Sequence, residues 1–226
     1  MRHDSVAHRE RRPSRVDRLE LWLSTAKLVD GLWIGASFGC EPDTALPRVE
    51  AALDLIKVHD RLRYHRLTRD LERIWVRPIP SYLGVFNAAL RACELDSRFV
   101  LAEGTTPELI AATIVHEATH ARIESRRVAY REDLRTRVER ACLRRELAFA
   151  TKLSNGAAVR DRAERTLTLC DSETYWTNAA FAERFDQGHI AALRDLGAPE
   201  WVIRATLALR TVRLRMVRLT RRLTSS

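Results

Sequence analysis

No uncharged apolar stretch in this sequence approaches the roughly 20 residues that a membrane-spanning helix needs, so a spanning protein is not expected. Cysteine is scarce. Cys40, Cys93, Cys142 and Cys170 stand far apart with no C-x-x-C pair, which argues against a disulfide framework or a cysteine-rich zinc module. That usage fits a reducing compartment, and a cytoplasmic protein, peripheral to a membrane at most, is the expectation. With 8 Gly and 7 Pro in 226 residues, collagen-like and low-complexity architectures are excluded. Lysine is nearly absent, at three of the 39 basic residues. An export signal is also not expected. The best stretch, Leu19 to Cys40, is interrupted by Glu20, Lys27 and Asp30, and Ser37-Phe38-Gly39-Cys40 is a poor lipoprotein cleavage box.

What is present is an ordinary core-forming composition, 46% hydrophobic, with a formal charge of +9. The charge belongs to the ends. Residues 1–18 hold six Arg against three acids, and residues 204–226 hold seven Arg and no acid, while 19–203 balance 26 basic against 27 acidic residues. Three parts follow: a basic flexible arm over 1–18, a globular domain over 19–203 and a basic amphipathic helix over 204–226. In the last, Ala205, Leu209, Val212, Met216, Leu219 and Leu223 form an apolar seam at alternating steps of four and three. Such a helix can pack on its own domain, dock on a membrane or an acidic partner, or meet nucleic acid. No stacking aromatics interleave its arginines, which disfavours the last.

Along the domain, Val16, Leu19, Leu23, Ala26 and Val29 recur at three- and four-residue steps and suggest a helix ending by Gly31 or Gly35. A long helical pattern runs from Pro47 to near Arg73. Ile74-Trp75-Val76, closed by prolines, reads as a strand, and Ala92–Leu95 with Phe99–Leu101 as a small hairpin or edge segments. Thr105-Thr106-Pro107-Glu108 opens a second helical block that reaches the C-terminus, with breaks at Asn155-Gly156, Asp186-Gln187-Gly188 and Gly197-Ala198-Pro199. The fold class is α+β, predominantly helical, with a small sheet preceding a central helix.

That helix contains His116-Glu117-Ala118-Thr119-His120. Histidines at i and i+4 share a helical face with Cβ atoms about 5–6 Å apart, so two imidazoles can converge on one ion. Glu117 can reach water in the ion's open position and act as its base. With 7 His and 17 Glu, chance produces H-E-x-x-H about 0.02 times in a chain of this size. The preceding Leu109–Val115 run is apolar nearly all round and implies burial, where two histidines and a glutamate are costly unless something satisfies them.

Thr113 to Ala121 resembles the motif helix of the zincin metallopeptidases. The resemblance implies a zincin-like fold, zinc bound by His116 and His120, and Glu117 as general base. It covers this helix and, more loosely, the strand-then-helix lead-in, under a quarter of the chain. Ile123 and Arg126 stand where the metzincin subgroup has Gly and His, so that subgroup is excluded. A gluzincin-like third ligand from a following helix remains. Glu139 follows His120 at about the spacing that group uses, and Glu146, two turns later on the same face, is the alternative. Glu124, about 12 Å along the axis from His116, is too far to share the ion. For Glu139 to reach the site the chain must turn within Ser125–Asp133, because a single straight helix would hold it about 28 Å from His120. Tyr130, Tyr175 and His189 are available to stabilise an oxyanion, and Cys142 reads as a small buried hydrophobe. The expectation is a zinc metallopeptidase acting on a peptide or protein substrate. Its competitor is a non-catalytic metal-containing protein that docks on membrane or nucleic acid through the Arg-rich ends.

Overall fold

The computed structural model describes residues 12–195 and 197–204. Its elements run α1 (Arg15–Leu23), β1 (Thr25–Val29), β2 (Leu32–Ala36), α2 (Pro42–His59), α3 (Arg61–Asp70), β3 (Arg73–Arg77), β4 (Gly84–Asn87), β5 (Ala92–Asp96), α4 (Ser97–Leu101), α5 (Pro107–Ser125), α6 (Glu132–Ala150), α7 (Ala157–Leu169) and α8 (Asn178–Asp195). The protein is α+β and mainly helical, with one mixed five-stranded sheet ahead of the H-E-x-x-H helix.

The sheet order is β1-β2-β3-β5-β4. The β2-β3 and β3-β5 pairs are parallel, and β1-β2 and β4-β5 are antiparallel. Alternation divides its residues between two faces. Ile34, Ala36, Ile74, Val76, Cys93 and Leu95 turn inward to a core shared with α2 and α5. Trp33, Trp75 and Ala92 turn outward, where Leu21 of α1 packs on them. The layers are therefore α1, the sheet, the α2–α5 layer, and α6 with α7 beyond.

Helix α5 is buried on nearly every side, from Ile110 through Ala121, as its apolar sequence requires. Thr106 caps it, its hydroxyl accepting from the Leu109 N–H, and Pro107 occupies the first turn. The chain then turns between Ser125 and Glu132 without glycine or proline. Arg127 takes the left-handed position (φ 61°) that glycine usually fills at a helix C-terminus, and its N–H bonds the Glu124 carbonyl at 2.7 Å.

Several sequence expectations change. The helix expected from Val16 to Gly31 stops at Leu23, and Thr25–Val29 pairs instead with Leu32–Ala36 as a hairpin. Helix α1 also begins at Arg15, inside the stretch 1–18 expected as a flexible arm, because Ser14 and Asp17 form a capping box there. The helix expected from Pro47 starts at Pro42 and breaks at Asp60, whose carboxylate caps α3. Strand β5 is internal and pairs with β4, while Ser97–Leu101 is a helical turn rather than a hairpin arm. Helix α8 runs through Asp186-Gln187-Gly188 unbroken. Residues 205–226, and with them the apolar seam, lie outside the described residues.

Candidate metal centre

His116 and His120 leave α5 on the face that meets α6, their ring centroids 5.0 Å apart and their Nε2 atoms 3.1 Å apart. Helix α6 answers with a face on which Glu139, Cys142, Leu143 and Glu146 are all buried. Glu139 spans the pair of imidazoles: one oxygen is 3.3 Å from His116 Nε2 and the other 3.4 Å from His120 Nε2. The two imidazole nitrogens and the Glu139 oxygen nearest each of them thus stand 3.1–3.4 Å apart, pair by pair. Ligands about 2.0–2.1 Å from a tetrahedrally held ion are separated by about 3.3 Å, and the pairwise separations of these side chains are of that order. The Cys142 sulfur lies within 4.8 Å of His116 and His120 donor nitrogens, and these three residues form a group that could hold a metal ion.

Around the donors is a second ring of contacts. His116 Nδ1 lies 2.5 Å from Glu146; in the neutral ring with its proton on Nδ1 the Nε2 lone pair faces the centre. The other oxygen of Glu146 accepts from Arg162 at 3.1 Å. The Tyr130 hydroxyl, from the α5–α6 turn, donates to Glu139, and its ring meets that of His120 edge-on at 5.4 Å. Glu146, expected as an alternative third ligand, is placed on the far nitrogen of His116 instead. Tyr175 and His189 make their contacts elsewhere, Tyr175 with Trp176 and Arg184, and His189 with Phe185 in α8.

Glu117, the residue after His116, lies against β4. A Cβ at Gly84 would come within 2.7 Å of the Thr113 methyl and 3.3 Å of Glu117 Cγ, so only glycine lets the edge strand pass this close to α5. Among the described residues the Glu117 carboxylate makes no hydrogen bond.

The electrostatics follow from this crowding. Burial pushes the Glu117 carboxyl up, as do the charges of Glu139 and Glu146, against the opposing pull of the two histidines. Burial opposes ionisation of Glu139 as well, but hydrogen bonds to His116 and His120 outweigh it and hold that carboxyl far below its usual range. For His116 burial disfavours the charged ring, yet the bonds to Glu139 and Glu146 raise it well above an ordinary imidazole. Burial, then the neighbouring glutamates, push the Cys142 thiol up.

No protein-family model, curated protein or solved structure matches the chain. The sequence reading missed β4, although Val85-Phe86 between Gly84 and Asn87 carries a short strand signal. It also missed Arg162, which nothing local marks.

Proposed function

We propose that the chain is a zinc-dependent metallopeptidase with a zincin-like, gluzincin-like centre. The observation that carries this reading is the convergence of His116, His120 and Glu139, with contacts of 3.1–3.4 Å between them, beside the buried Glu117, whose carboxylate makes no hydrogen bond among the described residues. Zinc held by those three residues would supply a Lewis acid that polarises a carbonyl and acidifies water. Glu117 accepts the proton of the attacking water and returns it to the leaving amine, a task suited by a carboxyl that burial raises above its ordinary value. Glu146 fixes the tautomer and aim of His116, and Tyr130 does the corresponding work for Glu139. Strand β4 is the edge of the sheet among the described residues and passes Glu117 at Gly84, so an extended peptide added along that edge would bring its backbone near the base. This supports a peptide or protein substrate. Four free, buried cysteines fit a cytoplasmic protein, and no helix among the described residues is long and apolar enough to cross a membrane.

A second reading rests on Cys142. If its sulfur joined the donors, the open position would close and the ion would be structural, as in a non-catalytic metal-containing protein docking through its Arg-rich ends. Metal analysis of the purified chain separates the two. The enzyme reading expects about one zinc, X-ray absorption with only nitrogen and oxygen neighbours near about 2.0–2.1 Å, and no sulfur near about 2.3 Å. The metal is lost in His116→Ala and kept in Glu117→Gln, whose peptide hydrolysis falls about 10²–10⁴-fold. Full hydrolysis by Glu117→Gln would end the catalytic assignment.

A further inference from the structure

Helix α1 is inside out. At 3.6 residues per turn, Val16, Leu19, Trp22 and Leu23 share one arc and Asp17, Glu20 and Leu21 the opposite one. An ordinary surface helix buries the first set. Here the polar arc faces the protein: Arg77 of β3 pairs with Asp17 at 3.1 Å and Glu20 at 2.6 Å, and Ser24, at the helix end, accepts the Trp75 indole N–H at 3.1 Å. The apolar arc faces out, with Val16 70%, Leu19 58%, Trp22 79% and Leu23 50% exposed. Leu28 of β1, opposite Trp33 and so on the same outer face of the sheet, is 71% exposed. Arg15, within the arc, Arg18, at its border, and Arg12, just before the helix, are exposed as well, while Asp17 and Glu20 are turned to Arg77. What α1 presents is therefore apolar and cationic at once.

We propose that α1 is a docking element for an anionic lipid surface, with Val16, Leu19, Trp22 and Leu23 entering the interface and Arg12, Arg15 and Arg18 meeting headgroups. Leucine and tryptophan on one arc with arginine at its border is the composition of a helix lying in a membrane interface. Charge selects this occupant. A second copy in a two-fold contact would bring the same arginines together, whereas an anionic bilayer satisfies arc and arginines together. The remainder of the arm adds Arg2, Arg9 and Arg11 against Asp4 and Glu10. The surface lies across the sheet from the metal centre, so docking is independent of zinc and of any reaction there.

Co-sedimentation of the full chain with vesicles tests this. The chain binds vesicles of equal parts phosphatidylcholine and phosphatidylserine and binds phosphatidylcholine alone weakly. Leu19→Ser/Trp22→Ser lowers partitioning on the order of a hundredfold, and Arg15→Gln/Arg18→Gln roughly thirtyfold, with melting temperature and zinc content unchanged. Val58→Ser, which alters an exposed residue of α2 across the sheet, has no effect. The assignment is overturned if the Leu19→Ser/Trp22→Ser chain binds like wild type, since the C-terminal arginines would then do the binding. It is also overturned if Trp22, isolated as the difference between wild type and Trp22→Phe, is shielded from acrylamide without lipid. A second copy or residues 205–226 would then cover the arc.

Discussion

On the outer side of the sheet, Asp17, Glu20 and Glu94 close on Arg77 at 3.1, 2.6 and 3.7 Å. Between α5 and α6, Glu139 and Glu146 close on two imidazoles with Glu117 buried nearby, and Glu146 also meets the guanidinium of Arg162. With neutral imidazoles each cluster carries three carboxylates against one arginine, two negative charges in excess. They differ in access to water. The Asp17 and Glu20 side chains are 22% and 26% exposed, those of Glu139 and Glu146 only 8% and 5%. Solvent can carry the excess outside; inside it is costly unless a cation is supplied. A proton on His116 supplies one positive charge, and a divalent ion supplies both.

Removing a carboxylate should therefore have opposite meanings in the two places. The largest effect is expected from Glu139→Ala, where zinc falls from about one per chain to near none and turnover drops on the order of 10³-fold or more. Retained zinc in that variant would mean the inner cluster does not need its bridging carboxylate. Glu146→Ala should keep the fold while weakening zinc about 10–100-fold, read by competition with a chromophoric chelator. Arg77→Ala should destabilise by about 2 kcal/mol in urea titration, discounted from a fully buried pair because solvent reaches the cluster, and leave zinc content as it was. The smallest effect is expected from Glu94→Gln. Burial holds the Glu94 carboxyl above its usual range, against the pull of Asn87 and Arg77. A raised folded-state pKa is a penalty that is full above that value and vanishes as pH falls below the unfolded value of about 4.3. Glu94→Gln should thus melt slightly later than wild type at pH 7, by about 0.5 kcal/mol, with the gap closing towards pH 4. A constant gap would mean Glu94 is not destabilising as a charge.

The inner cluster was largely legible in the sequence, because its members repeat at helical spacing. The i, i+4 histidines and the intervening glutamate need only a helix, and Glu139 follows once a turn is granted in Ser125–Asp133. The structure turns there through Arg127, a conformation no residue preference announced, since arginine has no special claim to positive φ. Glu146 was visible as a carboxylate on the right face, but its role depends on which imidazole nitrogen it meets, a matter of tertiary placement. Arg162 comes from a different helix and Gly84 from a strand four residues long, so neither had a local signal that linked it to the site. The outer cluster was not legible at all. The spacing of Val16, Leu19, Leu23, Ala26 and Val29 marked a helix of which only the part to Leu23 forms, and periodicity says only that an apolar arc exists. It assumes that arc faces the core, and in α1 the ion pairs with Arg77 hold the helix the other way.

Helix α5 ties the core to the donor set. Apolar on nearly every side, it needs α6 as well as the sheet and α2 to cover it. The packing of α6 that completes this cover also brings Glu139 and Glu146 to the histidines. Completion of the core and completion of the donor set therefore depend on one and the same helix contact.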